Sequence, residues 1–248
     1  MNKHVVVFIQ ARMGSSRLPG KVMTDINGEP MLWHVVSRLK QCPLISEVVV
    51  VTTTDSKDDA IEQFCQQKKI FYFRGSEEDV LDRYYQAALA HKADVVVRIT
   101  SDCPLIDPII TEKVIRAYLN NSAVLSGASN VVERTFPRGL DTEVFSFAAL
   151  EKVWQMAQKP YEREHVTVFM YEHPELFKII SVTHKENFSH LRWTVDELDD
   201  LRLVKEIYRI MKENGQERFG FQDVMALLKK NPELNDINSS VKQKIIHK

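Results

Sequence analysis

The sequence predicts an α/β fold: a doubly wound, mostly parallel sheet with helices on both faces and a small β-containing insertion. Three observations carry that prediction. Short apolar runs alternate through the first half with amphipathic stretches, as parallel strands joined by crossover helices require. The runs Val5–Ile9, Glu47–Thr53, Ile70–Arg74 and Asp94–Ile99 are rich in Val, Ile and Phe, which suits strands covered on both faces. Each empties into a polar loop, so four loops gather at the carboxyl ends of the strands, where open sheets bind ligands.

The elements follow in order. Val5–Ile9 leads into Gln10-Ala-Arg-Met-Gly-Ser-Ser-Arg-Leu-Pro-Gly-Lys21 and then a helix over Pro30–Gln41. Pro30 suits its first turn, and Leu32, Val35, Val36 and Leu39 share one face. After Glu47–Thr53 a helix runs from Ser56 or Lys57 to Lys68, with Ser56 and Asp59 spaced as a capping box. Ile70–Arg74 ends at Gly75, and Ser76 with Asp79 repeats the capping signal before a helix to His91. Asp94–Ile99 belongs in the centre of the sheet and opens into Thr100-Ser-Asp-Cys-Pro-Leu-Ile-Asp107. A helix over Pro108–Asn120 follows, then β segments at Ala123–Ser126 and Glu143–Phe145 around the polar stretch Asn130–Asp141. The rest reads as a helix over Tyr161–Glu172, strands near Lys178–Thr183 and Leu191–Thr194, helices over Glu197–Glu213 and Phe221–Lys229, and a polar tail. Residues 1–248 form one domain, with an insertion at about 130–190 that covers the sheet's carboxyl edge or forms a subunit interface.

Composition narrows the classes of function. A net charge of −1 excludes nucleic-acid binding by bulk electrostatics, so any polyanion must be met locally. No stretch approaches the roughly 20 apolar residues of a membrane span, and the start is too short for a signal peptide. Cys42, Cys65 and Cys103 form no C-x-x-C pair, which points to reduced thiols and a soluble, cytoplasmic chain. Cys103, beside Pro104, reads as a packed small hydrophobe, and no His/Cys cluster suits zinc.

The loop after the first strand carries the clearest chemistry. Arg12, Arg17 and Lys21, with Gly14 and Gly20, supply fixed cations and backbone N–H groups for a polyphosphate, and Ser15 and Ser16 add donors. It is not a Walker A loop, because five residues separate the glycines and Val22 stands where Ser or Thr would ligate magnesium. Asp102, just past a buried strand, is a magnesium-type ligand, whereas Asp107 before Pro108 reads as an N-cap. Asp196, at the end of Arg192-Trp-Thr-Val-Asp196, reads equally as a second ligand or as an N-cap with Asp199 in the first turn.

The segments Gln10–Lys21, Ser101–Asp107 and Val195-Asp196-Glu resemble the cytidylyltransferases that activate 3-deoxy-manno-octulosonate and sialic-acid-type sugars, and most closely the SpsF-like spore coat polysaccharide branch. Phe73–Arg83, Pro137-Arg-Gly-Leu-Asp-Thr-Glu143, Arg163-Glu-His-Val-Thr167 and Asn231–Asn238 extend the resemblance over almost the whole chain. It implies a GT-A-like fold that transfers CMP from CTP to an acidic or related sugar, with Mg²⁺ as cofactor, and a homodimer. Arg12, Lys21, Asp102 and Asp196 would be catalytic, with Asp102 and Asp196 holding the metal. Gln10, Ala11, Arg12, Gly14, Ser15, Arg17 and Lys21 would cradle the triphosphate, and Thr52–Thr54 and Ser76–Asp79 would lie near base and ribose. Arg138, Asp141, Glu143, Arg163, Glu164 and His165 would meet the sugar. The general base is left open among Asp102 acting through the metal, Asp141 and His165. Ser101 stands where octulosonate enzymes commonly place glycine. Two other readings share the fold: a glycosyltransferase using a nucleotide sugar, and a non-catalytic nucleotide-binding partner. Ser101-Asp-Cys103 is not an Asp-x-Asp motif, and three loop cations exceed what a diphosphate donor demands.

Overall fold

Alternation along the first strand creates a core on each side of the sheet. In β1 (Val5–Gln10), Val5, Val7 and Ile9 face one side and Val6 and Phe8 the other, all at most 2% exposed. The computed structural model describes residues 3–243, so the end of the predicted polar tail, from 244, lies outside the described residues.

After β1 come a 3₁₀ turn at Lys21–Met23, a small hairpin of β2 (Asp25–Ile26) and β3 (Glu29–Pro30), and α1 (Met31–Leu39). The α/β alternation continues through β4 (Glu47–Thr53), α2 (Asp59–Lys68), β5 (Phe71–Gly75), α3 (Val80–Ala90), β6 (Val95–Thr100) and α4 (Pro108–Leu119). The second half holds β7 (Gly127–Ser129), β8 (Glu143–Ser146), α5 (Phe147–Met156), α6 (Pro160–Glu164), α7 (Val168–Glu172), β9 (Ile179–Ser181), α8 (Leu198–Glu213) and α9 (Phe221–Lys230).

The seven-stranded sheet has the order β5-β4-β1-β6-β8-β7-β9. β1, β4, β5 and β6 are parallel, whereas β8 runs antiparallel to β6 and to β7. Helices α1, α2, α4, α8 and α9 pack on the face of Val5 and Val7; α3, α5 and α7 pack on the face of Val6 and Phe8. The sheet is therefore doubly wound and mostly parallel, as predicted. Among the described residues no helix is long and apolar enough to cross a membrane.

The second half corrects the sequence reading in four places. Ala123–Ser126 is turn, and the strand begins at Gly127. Phe147–Met156, left unassigned, is α5, started by the Ser146 hydroxyl accepting from the Ala149 N–H at 3.0 Å. The single helix expected over Tyr161–Glu172 is two, because Val166 adopts φ +53° and breaks the path. Leu191–Thr194 is no strand; it forms an isolated bridge, Arg192 to Arg138, with the loop between β7 and β8.

Candidate active site

The loop after β1 is held by its own backbone and by one buried carboxylate. Gly20, at φ +70°, donates its N–H to the Met13 carbonyl at 2.9 Å and turns the chain into the Lys21–Met23 turn. The Met13 N–H donates to Asp58 Oδ1 at 2.7 Å. Asp58 Oδ2 accepts from the Thr52 and Thr53 hydroxyls and the Thr53 N–H, so the loop is pinned to the end of β4.

That loop delivers Lys21 to two carboxylates. Its Nζ donates to the Val195 carbonyl at 2.7 Å, Asp196 Oδ1 at 2.9 Å and Asp102 Oδ2 at 3.3 Å, and the residue is only 9% exposed. Burial opposes the lysine's charge, but Asp102 and Asp196 outweigh it and raise its pKa. Burial likewise opposes the Asp196 charge, yet Lys21, Arg192 and Arg17 hold its carboxyl below the ordinary value. Arg17 reaches Asp196 Oδ1 at 2.9 Å. The two acids meet because Val195 N–H and the Thr194 hydroxyl donate to the Asp102 carbonyl, at 2.8 and 3.2 Å. The Thr100 hydroxyl steadies Asp102 Oδ1 at 2.6 Å.

The two readings of Asp196 now separate. Glu197 occupies the N-cap of α8, and Asp200 accepts the N–H groups of Asp196 and Glu197 at 3.0 and 3.1 Å, so the Asp196 side chain does no capping. Asp107 does cap α4, accepting from Ile109 and Ile110 at 2.8 and 2.9 Å. The Cys103 thiol is buried, which pushes it well above its ordinary pKa.

Two clefts open at the end of β6. One, of about 210 Å³, is walled by Gln10, Arg12, Ser15, Ser16, Arg17, Lys21, Val22, Thr100, Ser101 and Asp102. The other, of about 230 Å³, is walled by Arg98, Thr100, Val131, Asp141, Glu143, His165, Thr167, Val168 and Tyr171. Thr100 borders both, so the clefts are neighbours. Val166, buried at positive φ, sets His165 and Thr167 on either side of the bend against the second cleft.

Other predicted residues fall elsewhere. Ala11 is buried and its N–H pairs with the Val51 carbonyl, and Gly14 is exposed on the loop. Thr52 and Thr53 are occupied by Asp58. The Ser76 hydroxyl accepts from the Asp79 N–H at 3.0 Å, and Asp79 caps α3 at 2.8 Å, so these four residues support the site's frame and do not wall the first cleft. Arg163 turns away from the second cleft to Asp79, at 2.7 Å, and to the Trp154 and Ala157 carbonyls. Glu164 is exposed, and Arg138 also lies outside that wall.

The sequence reading missed the partners of the second cleft's acids. Arg134 grips Asp141 through both guanidinium ends, and Arg98 pairs with Glu143 directly across the β6–β8 register. Glu143 also accepts from the hydroxyls of Thr167, at 2.7 Å, and Tyr171. An arginine inside the Val/Ile run of β6 was the available signal, since a buried cation needs a buried acid. Arg98→Leu should cost about 3–5 kcal/mol in chemical denaturation by stranding Glu143, which is 5% exposed. A loss below about 1 kcal/mol would show the pair to be solvated.

Gly139 explains the Pro-Arg-Gly string. Its φ is +104°, and a Cβ there would lie 2.6 Å from Thr194 N and from the Trp193 carbonyl carbon, both main chain. Gly139→Ala should therefore destabilise by more than about 1 kcal/mol, read as a lowered melting temperature, because neither the backbone nor its neighbour can yield.

Comparison with known proteins decides the family. A sequence model described as cytidylyltransferase matches residues 6–231. The chain belongs to the cytidylyltransferase family. This cytidylyltransferase is therefore a nucleotidyltransferase, and the glycosyltransferase reading falls. A solved cytidylyltransferase from Leptospira borgpetersenii is 35% identical with a TM-score of 0.89, covering 99% of this chain and 100% of its own. The spore coat polysaccharide biosynthesis protein SpsF of Bacillus subtilis is 29% identical over 239 residues, 92% of this chain and 95% of that one. The 3-deoxy-manno-octulosonate cytidylyltransferase of Geobacter sulfurreducens is 34% identical over 124 residues, about half of each chain. In this cytidylyltransferase the loop cations follow β1 and Asp102 follows β6, so they meet Asp196 at the carboxyl ends of two central strands.

Proposed function

We propose that this cytidylyltransferase transfers CMP from CTP to a nonulosonic, octulosonic or related sugar acid, releasing pyrophosphate for surface polysaccharide synthesis. The observation that carries the reading is the pair of neighbouring clefts sharing Thr100. One is lined by loop cations with Asp102; the other is lined by hydroxyls and acids suited to a polyhydroxylated acceptor. The relatives that make sugar nucleotides support the choice of substrates.

The reaction joins a sugar hydroxyl oxygen to the α-phosphorus and breaks its bond to the β-phosphate bridge, so negative charge grows on the leaving pyrophosphate. Arg12, Arg17 and Lys21 would stabilise that charge where it develops. Asp102 Oδ2 and Asp196 Oδ1 converge within 3.3 Å of one nitrogen, which fits a hard cation that takes one or two carboxylates and completes its shell with phosphate oxygens. Magnesium held there would supply Lewis-acid polarisation of the phosphates. Among the described residues no group of three His, Cys, Asp or Glu forms a metal site, so the nucleotide's own oxygens are needed. Asp141 and His165 border the acceptor cleft as candidate proton acceptors, Asp141 under the grip of Arg134. The reading places the reaction in the cytoplasm, which suits three buried, free thiols.

The test is pyrophosphate release with Mg²⁺, each nucleoside triphosphate in turn, and a panel of nonulosonic and octulosonic acids. CTP with one acid should give turnover. Turnover only with uncharged sugars or alcohols would remove the acidic acceptor, and turnover only with another triphosphate would remove CTP.

A further inference from the structure

The Asn231–Asn238 segment, singled out in the sequence, has no part in either cleft, yet its last residue is buried beneath Asp196. Asn238 is 6% exposed, and its Nδ2 donates at 2.9 Å both to the Arg192 carbonyl and to Asp200 Oδ1. Asp200, 1% exposed, also accepts the Arg192 Nε at 2.9 Å and the N–H groups that start α8. Arg192, 8% exposed, then donates from its Nη2 to Asp196 Oδ2 at 2.6 Å.

Each oxygen of Asp196 thereby has a separate function. Oδ2 is fixed by a guanidinium that Asp200 holds through Nε and Gln243 through Nη1, with Asn238 bracing Asp200 and the Arg192 main chain, while Oδ1 faces Lys21 and Arg17 of the loop. A carboxylate with only the loop cations would turn about its χ2 bond when those side chains move to meet phosphates. The fork of Arg192 removes that freedom, because it spans Asp196 and Asp200 in one plane and a lysine cannot.

We infer that Arg192, locked by Asp200 and Asn238, is a positioning residue that aims Asp196 Oδ1 at the nucleotide cleft, so that the carboxy-terminal segment tunes metal–nucleotide binding from behind. The inference rests on the reading of Asp196 as a site carboxylate. Loss of such an orienting partner typically costs about 10- to 100-fold in metal affinity or rate.

The test measures Mn²⁺ binding in the presence of CTP, with free Mn²⁺ counted by electron paramagnetic resonance and no sugar added, in the full-length protein. Arg192→Lys and Asn238→Ala should each weaken Mn²⁺·CTP binding by about 10- to 100-fold. Val114→Ala, a core truncation in α4 that walls neither cleft, should lower the melting temperature without changing that affinity, which separates aim from stability. If Asp196→Asn abolishes binding while Arg192→Lys and Asn238→Ala bind within about threefold of the parent, the relay is wrong and the reading of Asp196 stands. If Asp196→Asn itself binds as the parent does, both fall. Arg192→Lys keeps the charge and is the variant to rely on should Asn238→Ala fail to fold.

Discussion

Asp102→Asn should lower kcat by about 10²- to 10³-fold while leaving the melting temperature nearly unchanged, as expected when a charged group acting on the transition state is lost. Asparagine keeps the shape and the oxygen that accepts the Thr100 hydroxyl, so the loop after β6 stays zipped to Thr194 and Val195 through the main chain. What disappears is the charge facing Lys21, together with the oxygen that accepts from its Nζ. Steady-state pyrophosphate release measures the effect once an acceptor is in hand; before that, slow hydrolysis of CTP serves. A change below about threefold in kcat would remove Asp102 from the chemistry and leave it a counter-ion for Lys21.

Lys21→Met should weaken CTP binding by about 10- to 100-fold, the equivalent of one or two charge-assisted contacts. CMP binding should change much less. Methionine fills the space of the buried stem and removes the ammonium, so Asp102 faces the incoming phosphates without its counter-ion while Asp196 keeps only Arg17 and Arg192. The difference between triphosphate and monophosphate is the informative quantity, because a general loosening of the loop would weaken both. Calorimetry with the two nucleotides reads it directly, and equal losses would contradict a role at the β- and γ-phosphates.

Much of the half that carries the loop cations was legible from the chain. Continuous Val/Ile runs have one stable home, a sheet covered on both faces, and a loop with three cations and two glycines after such a run has few uses other than an anion. The acceptor half was harder to read, for identifiable reasons. Its strands are three or four residues long, too short for periodicity, and α5 begins immediately where β8 ends. The break at Val166 depends on a backbone angle that valine does not advertise.

The charged groups show the same divide. Lys21 stood out in a loop of cations and glycines after an apolar strand, Asp102 just past another strand, and Asp196, read evenly as ligand or N-cap, through the resemblance, whereas Arg134 and Asp200 lie in polar stretches where one charge looks like another. Only the fold shows that Asp200 gathers five donors and that Arg134 faces Asp141. Thr52, Thr53, Ser76 and Asp79 illustrate the converse: they sit at the right ends of the right strands, but their polar atoms meet the protein's own backbone, Asp58 and Arg163.

β6 is paired in parallel with β1 on one side and antiparallel with β8 on the other. On the proposed reading, the phosphate side comes chiefly from the parallel side, and the acceptor cleft from β8 and the bend between α6 and α7. If the proposed assignment of the two clefts holds, a lineage can trade one acceptor for another by rewriting the chain between β7 and β9, without reopening the loop-cation cleft. The same seam offers a protein engineer a place to graft, with Thr100 as the one wall that both halves must agree on.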